Sequence, residues 1–332
     1  MKRLLICTSI ILSSLLSLSA LDNKYSDYLS FRITPQFEIA NGTIKEYVFD
    51  PACKNTDNIL SELDWNLSTL ALFNLHADFD IMRYGYLGLS GTMGVPQRSD
   101  YMQDYDWRNS VVDAWKNDDP TEKTNFSEHI NHLDKYITFS ASLGGNIYLP
   151  LEFKISPRAT YKYEFIRFTG SYGYSDYKES NHEKKDFTGK VISYEQEINS
   201  LLLGTNIKIG IIPRTAIDLN FDISPNLTFL NAIDYHYVNS ALGKYGTAYL
   251  DSFKNIMQME AGANAQYCFS KNHSAGLCYK IQYIPRVQGE TSSRVIDKNG
   301  EFLTDNWLPI GSGGGGTERF IWFLCLNYSF SL

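Results

Sequence analysis

Hydrophobic and polar residues alternate along this chain with a period of two, over many stretches in turn. The clearest run is Ile217 to His236. Ile217, Leu219, Phe221, Ile223, Leu227 and Phe229 occupy one parity, and Asp218, Asn220, Asp222, Ser224, Asn226 and Thr228 the other. Such alternation predicts a β-strand with one apolar and one polar face. The same parity puts Asp234 and His236 together on the polar face.

The pattern recurs throughout. Phe37, Ile39, Tyr47 and Phe49 oppose Glu38, Ala40, Gly42 and Glu46. Leu63, Trp65, Leu67, Phe73, Leu75 and Phe79 oppose Glu62, Asp64, Asn66, Ser68, Asn74, His76 and Asp78. Further strands are predicted to Val95, from Ile137 to Ile147, to Thr169, from Leu201 to Ile209, from Met257 to Tyr267, from Leu277 to Tyr283 and from Phe320 to Phe330. Short turns alternate with long connections, expected at about 96–125, 170–189, 238–250 and in the glycine-rich stretch up to Gly316. About ten strands so connected predict an all-β fold, an up-and-down antiparallel transmembrane β-barrel of ten strands. Spanning needs only ~9–11 residues per strand. Several strands are longer, so the barrel is expected to protrude above the outer membrane.

The first 20 residues stand apart. Lys2 and Arg3 precede an uncharged apolar run from Leu4 to Leu18, and Ser17, Ser19 and Ala20 end it. This predicts a secretory signal peptide over 1–20, with residues 21–332 forming the barrel domain. No other stretch approaches the ~18 apolar residues of a spanning helix. A formal charge of −7 over 332 residues argues against nucleic acid as a partner. Outer-membrane lipid is expected around the apolar faces, and the barrel is expected to be monomeric. Four cysteines remain after the leader, Cys53, Cys268, Cys278 and Cys325, and they allow three pairings. Cys268 and Cys278 fall on inward parity about the turn at His273, so a cross-strand disulfide between them is one arrangement open to the chain.

Topology supplies the candidate chemistry. The Ile217–His236 strand rises to the outer rim, and so does the strand ending at Val95, beyond which lie Asp104, Tyr105, Asp106 and Trp107. An Asp–His pair and an Asp–Asp pair therefore meet at one rim. A neutral imidazole oriented by a carboxylate can take a proton from water, and a second carboxylate pair can hold that water. Polar side chains are also common in barrel lumens, so the pairs alone do not decide for catalysis.

Asp104-Tyr105-Asp106-Trp107 resembles the Asp-x-Asp-Trp motif of the omptin outer-membrane proteases, and Asp234-Tyr235-His236 their Asp-x-His. Gly42-Thr43 with Lys45-Glu46, Leu63-Asp64-Trp65, Thr124 with Ser127 and His129, Phe168-Thr169, Gly316 with Glu318, and the closing Tyr328-Ser329-Phe330 resemble the family in the same order. The resemblance implies an endopeptidase that cleaves polypeptide substrates at the cell surface, its active site facing outward, with no covalent intermediate. Asp104 and Asp106 would hold the water and the developing oxyanion, His236 would be the base, and Asp234 would orient it. A barrel that has lost catalysis and acts as an adhesin or receptor is the alternative, and a diffusion pore a third reading, opposed by a lumen full of polar side chains.

The family's pocket for a basic residue before the scissile bond is implied to use two acids. Glu46 matches one, and the other falls on Ala232. A further acid on the leaving side falls on Asn125. The expectation is a less acidic pocket and a weaker preference for Arg or Lys. No cofactor or metal is expected. The resemblance implies a lipopolysaccharide requirement, but the strand concerned keeps only Tyr161. Phe165 stands where an arginine is expected, Glu164 is one place out of register, and Arg167 lies further on, so the requirement is not carried over.

Overall fold

A computed structural model describes residues 29–50, 57–82, 84–108, 121–150, 153–237, 245–310 and 314–332. The leader expected over 1–20 lies outside them, as does Cys53. Ten long strands follow in chain order: β1 (Leu29–Phe49), β2 (Ile59–Ile81), β3 (Gly85–Gly94, continued by Gln97–Asp106), β4 (Asn125–Gly145), β5 (Phe153–Tyr177), β6 (Lys190–Ile212), β7 (Thr215–His236), β8 (Gly246–Cys268), β9 (His273–Gln288, continued by Glu290–Ile296) and β10 (Gly314–Ser331). Each pairs antiparallel with its chain neighbours, and β1 pairs with β10 over Arg32–Ser331 to Phe49–Gly314, which closes the ring. Closure leaves no long edge to pair with another chain. Among the described residues no helix is long and apolar enough to cross a membrane.

The outward parity agrees with the alternation over the lower half of the barrel. Phe73, Met93, Phe139, Leu143, Leu203, Phe221, Leu277 and Leu326 point out and are exposed. They form the apolar belt expected at the lipid face. Replacing Leu219 or Phe221 by arginine is expected to impair insertion, because a cation at the lipid-facing midplane costs ~2–4 kcal/mol. The check is the yield of folded, heat-modifiable protein. Normal values for both variants would mean that this face does not meet lipid.

Above the belt the parity is reset by bulges. Thr69, at φ 56°, adds one residue to β2 relative to β1, between the pairs Ala40–Leu70 and Gly42–Leu67. One extra residue turns every later side chain to the other face. Leu63, Trp65 and Leu67, expected outward with Phe73, therefore point into the lumen and are fully buried. The freed backbone groups find side chains: Asn41 Oδ1 accepts from Thr69 N at 2.8 Å, and Gln97 donates to Thr69 O at 3.0 Å. Gly42, at φ 147°, lets β1 pass this point, since a Cβ there would meet Phe320 O at 2.1 Å. Strand β7 behaves differently. Around Pro225 and Asn226 it carries two more residues than β6 between the pairs Ile223–Leu203 and Thr228–Ser200, and two restore the parity.

The stretch expected as a loop from Pro96 to Asn125 is also corrected. Pro96 cannot donate to the ladder, yet β3 resumes at Gln97 and reaches Asp106, paired with both β2 and β4. Asp100, at φ 55°, breaks the period-two pattern there. Strand β5 likewise runs on to Tyr177, inside the next expected loop.

The lumen has two storeys. The lower one is polar and ion-paired: Arg32 with Asp78 (2.7 Å), Arg158 with Asp222 (2.6 Å), Lys280 with Glu38 (2.7 Å), and Lys162 with Glu260 (2.6 Å) and Glu164 (3.2 Å). Arg319 also pairs with Glu164. The upper storey is an apolar core built across the ring. Trp65 of β2 stacks on Phe168 of β5 and Tyr194 of β6, with centroids at 6.0 and 5.4 Å, and Met102, Leu133, Ile166, Leu230 and Phe253 surround them. Cys278 lies opposite Cys325, not Cys268, and Cys268 lies opposite Ser274. All three are free thiols.

Candidate active site

The Asp–Asp and Asp–His pairs ride on the upper strand ends, far along the strands from the apolar belt. Asp104 and Asp106 close β3. Asp104 lies between Leu63 of β2 and Ser127 of β4, and Asp106 between Ser61 and Asn125. Asp234 and His236 close β7, with Asp234 between Tyr194 of β6 and Tyr249 of β8. The two strands stand on opposite sides of the ring, yet their groups share one electrostatic environment. His236 responds to Asp234, Asp104 and Asp106 together.

The imidazole Nε2 edge of His236 contacts Asp234 Oδ2. Asp234 is buried at 3% exposure, whereas the His236 side chain keeps 47% of its surface open. The Tyr249 ring meets it edge-on at 5.4 Å. Burial opposes the imidazolium, but the Asp234 carboxylate outweighs it, helped by Asp104 and Asp106, and the histidine rises to about 9. Ser61 Oγ donates to Asp104 Oδ1 at 3.1 Å. Burial and the adjacent Asp106 raise Asp104 to about 8, against the pull of His236. The apolar core beneath, with Trp65 and Phe168, supplies the low-dielectric floor behind these shifts.

The remaining sequence candidates gather around the same cleft. Glu46 of β1 is 3% exposed and its carboxyl is held well above the ordinary range, by burial first and then by Asp234, Asp251 and Asp104. Ala232 is buried on the same face as Asp234. Asn125, 3% exposed, lies opposite Asp106 and Tyr177. His129 is a structural group. It bonds Ser127 Oγ at 3.0 Å and the Tyr172 carbonyl at 2.6 Å.

Residues that the alternation did not point to also reach the cleft: Ser61, Tyr177, Tyr249 and Asp251. Asp251 was hidden by a bulge at Asn255, φ 57°, which reverses the parity of β8 above Gln258. Below it the even positions face inward, above it Asp251 and Phe253 do.

Comparison with known proteins bears on this geometry. The Omptin family model matches residues 28–312. The outer membrane protease IcsP of Shigella flexneri is 26% identical over 261 residues, 76% of each chain. The plasminogen activator of Yersinia pestis is 23% identical over 298 residues, 87% of this chain and 86% of that one. The crystal structure of outer membrane protease OmpT from Escherichia coli superposes with a TM-score of 0.77 at 18% identity, covering 91% of this chain and 97% of that one. That likeness is one of fold.

Proposed function

The chain belongs to the omptin family, and from that premise we propose that it is an outer-membrane endopeptidase whose cleft faces the outside of the cell. The observation that carries the reading is the meeting of Asp104 and Asp106 with Asp234 and His236 across one open rim. The names of the relatives, a protease and a plasminogen activator, support polypeptides as substrates.

The chemistry follows from the charges. Neutral His236, oriented by Asp234, removes a proton from water as its oxygen attacks the peptide carbonyl. The proton that Asp104 holds at neutral pH beside Asp106 hydrogen-bonds the oxyanion of the tetrahedral adduct. The adduct collapses with cleavage of the C–N bond. His236 returns its proton to the departing amine, leaving a carboxylate and a free amine. A single copy suffices, because every group named comes from one closed ring.

The test is hydrolysis of a mixed peptide library by the purified, detergent-folded protein, followed by its pH profile. His236 must be neutral and Asp104 must keep its proton. The first condition improves as pH rises toward about 9, and the second fails above about 8. A bell with its maximum between those values is expected. Asp106→Asn removes a negative charge that raises both groups, so the whole bell should move to lower pH. An acidic limb at the ordinary imidazole value of 6.5, unmoved in that variant, would contradict these roles. No hydrolysis of any peptide would favour a silent barrel serving as adhesin or receptor.

A further inference from the structure

We propose that Asp251 supplies the second carboxylate of a pocket that takes a cationic side chain, guanidinium or ammonium, beside the scissile bond. The proposal rests on the peptidase reading and changes what the sequence implies about specificity. Ala232 leaves that pocket one acid short on β7. Its partner across the ladder on β8 is Asp251. The charge absent from one strand is present on the next, at the same height.

Asp251 and Glu46 converge on β10. Glu46 pairs with Thr317, and the Asp251 carboxylate lies over Gly315, two residues along the same strand. A Cβ on Gly315 would sit 2.0 Å from that carboxylate, so only glycine leaves room for it. Thr291 Oγ1 donates to Asp251 Oδ1 at 2.5 Å and fixes its direction.

These acids are buried without a lysine or arginine partner among the described residues. Glu46, Asp234 and Asp251 are 3%, 3% and 5% exposed. Asp234 has His236, but the charges that act most strongly on Glu46 and Asp251 are neighbouring carboxylates. Glu46 Oε2 and Asp234 Oδ1 have no hydrogen-bond partner among the described residues. Burying carboxyls in this way is costly unless something pairs with them. A guanidinium fork answers the cost, since carboxylates on two sides can bind it by charge-assisted hydrogen bonds. The small side chain of Ala232 leaves space for its aliphatic stem. Burial, tempered by the Thr291 hydroxyl, holds Asp251 near 7, where an arriving cation would displace its proton.

The experiment compares kcat/KM for two peptides identical except for arginine or citrulline before the cut bond. Citrulline keeps the shape and loses the charge. The wild type is expected to favour arginine by at least about tenfold. Asp251→Asn should cut that ratio by about ten- to hundredfold, the range of one charge-assisted hydrogen bond. Gly315→Ala should lower the ratio by displacing the carboxylate, and it decides the matter if Asp251→Asn does not fold. The double variant Ala232→Asp with Asp251→Ala moves the acid back to β7 and should restore the ratio. A wild-type ratio near one, or a ratio unchanged in Asp251→Asn and Gly315→Ala, would overturn the proposal while leaving a working peptidase. Hydrolysis of neither peptide would instead overturn the peptidase reading itself.

Discussion

His236→Ala is expected to yield a folded, heat-modifiable barrel whose peptide hydrolysis falls by about 10²–10⁴-fold, the usual loss when a general base is removed. The side chain is half-exposed and its contacts are to Asp234 and Tyr249, so little packing is lost with it. Asp234→Asn should come close to the same loss. The amide keeps the shape but removes the charge that raises the imidazole, and it can present an N–H where the ring needs an acceptor. The readout is kcat/KM on a cleaved peptide, with folding checked in parallel. Wild-type rates in folded His236→Ala would end the water-activation scheme.

The second large effect lies in the lower lumen. Arg319 is 1% exposed and Glu164 2%, and the two are paired across the ring from β10 to β5. Gln282 of β9 joins them, accepting from Arg319 at 3.1 Å and donating to Glu164 at 3.2 Å. Arg319→Met would strand a buried carboxylate with Lys162 and Gln282 as its remaining partners. Breaking one side of such a pair costs about 3–5 kcal/mol. Removing both sides, in Arg319→Met with Glu164→Gln, should recover most of the loss. Arg319 Nε and Nη1 already have no partner among the described residues, which limits what the arginine itself contributes. Urea-unfolding midpoints in detergent or vesicles would check this. A single variant as stable as the wild type would show that the pair does not hold the strands together.

The lipid-facing half of the barrel was legible because water and lipid enforce strict alternation there. Phe221 and Leu326 could be assigned outward from the sequence alone. Above the belt that constraint fades. The outer face meets solvent, the inner face becomes apolar, and both tolerate either kind of residue. Single-residue bulges then reverse the pattern with weak local signals, as at Thr69, where a β-branched residue takes a positive φ. Trp65 was placed on the wrong face for that reason, and β3 was ended at Val95 because Pro96 and Asp100 look like loop residues. Asp234 and His236 were placed correctly because the irregularity at Pro225 and Asn226 adds two residues, and two leave the faces unchanged. Asp251 could not be found in the same way, since Asn255 resets β8 between the readable strand and the rim.

The stacked core of Trp65, Phe168 and Tyr194 has a consequence for the membrane itself. A hydrated ion entering from the rim would meet a dry layer of packed aromatic and aliphatic side chains, and below it a tier of charges already matched to one another. The barrel should therefore be electrically silent in a planar bilayer. An outer membrane could carry many copies of this barrel without a rise in conductance or an osmotic leak.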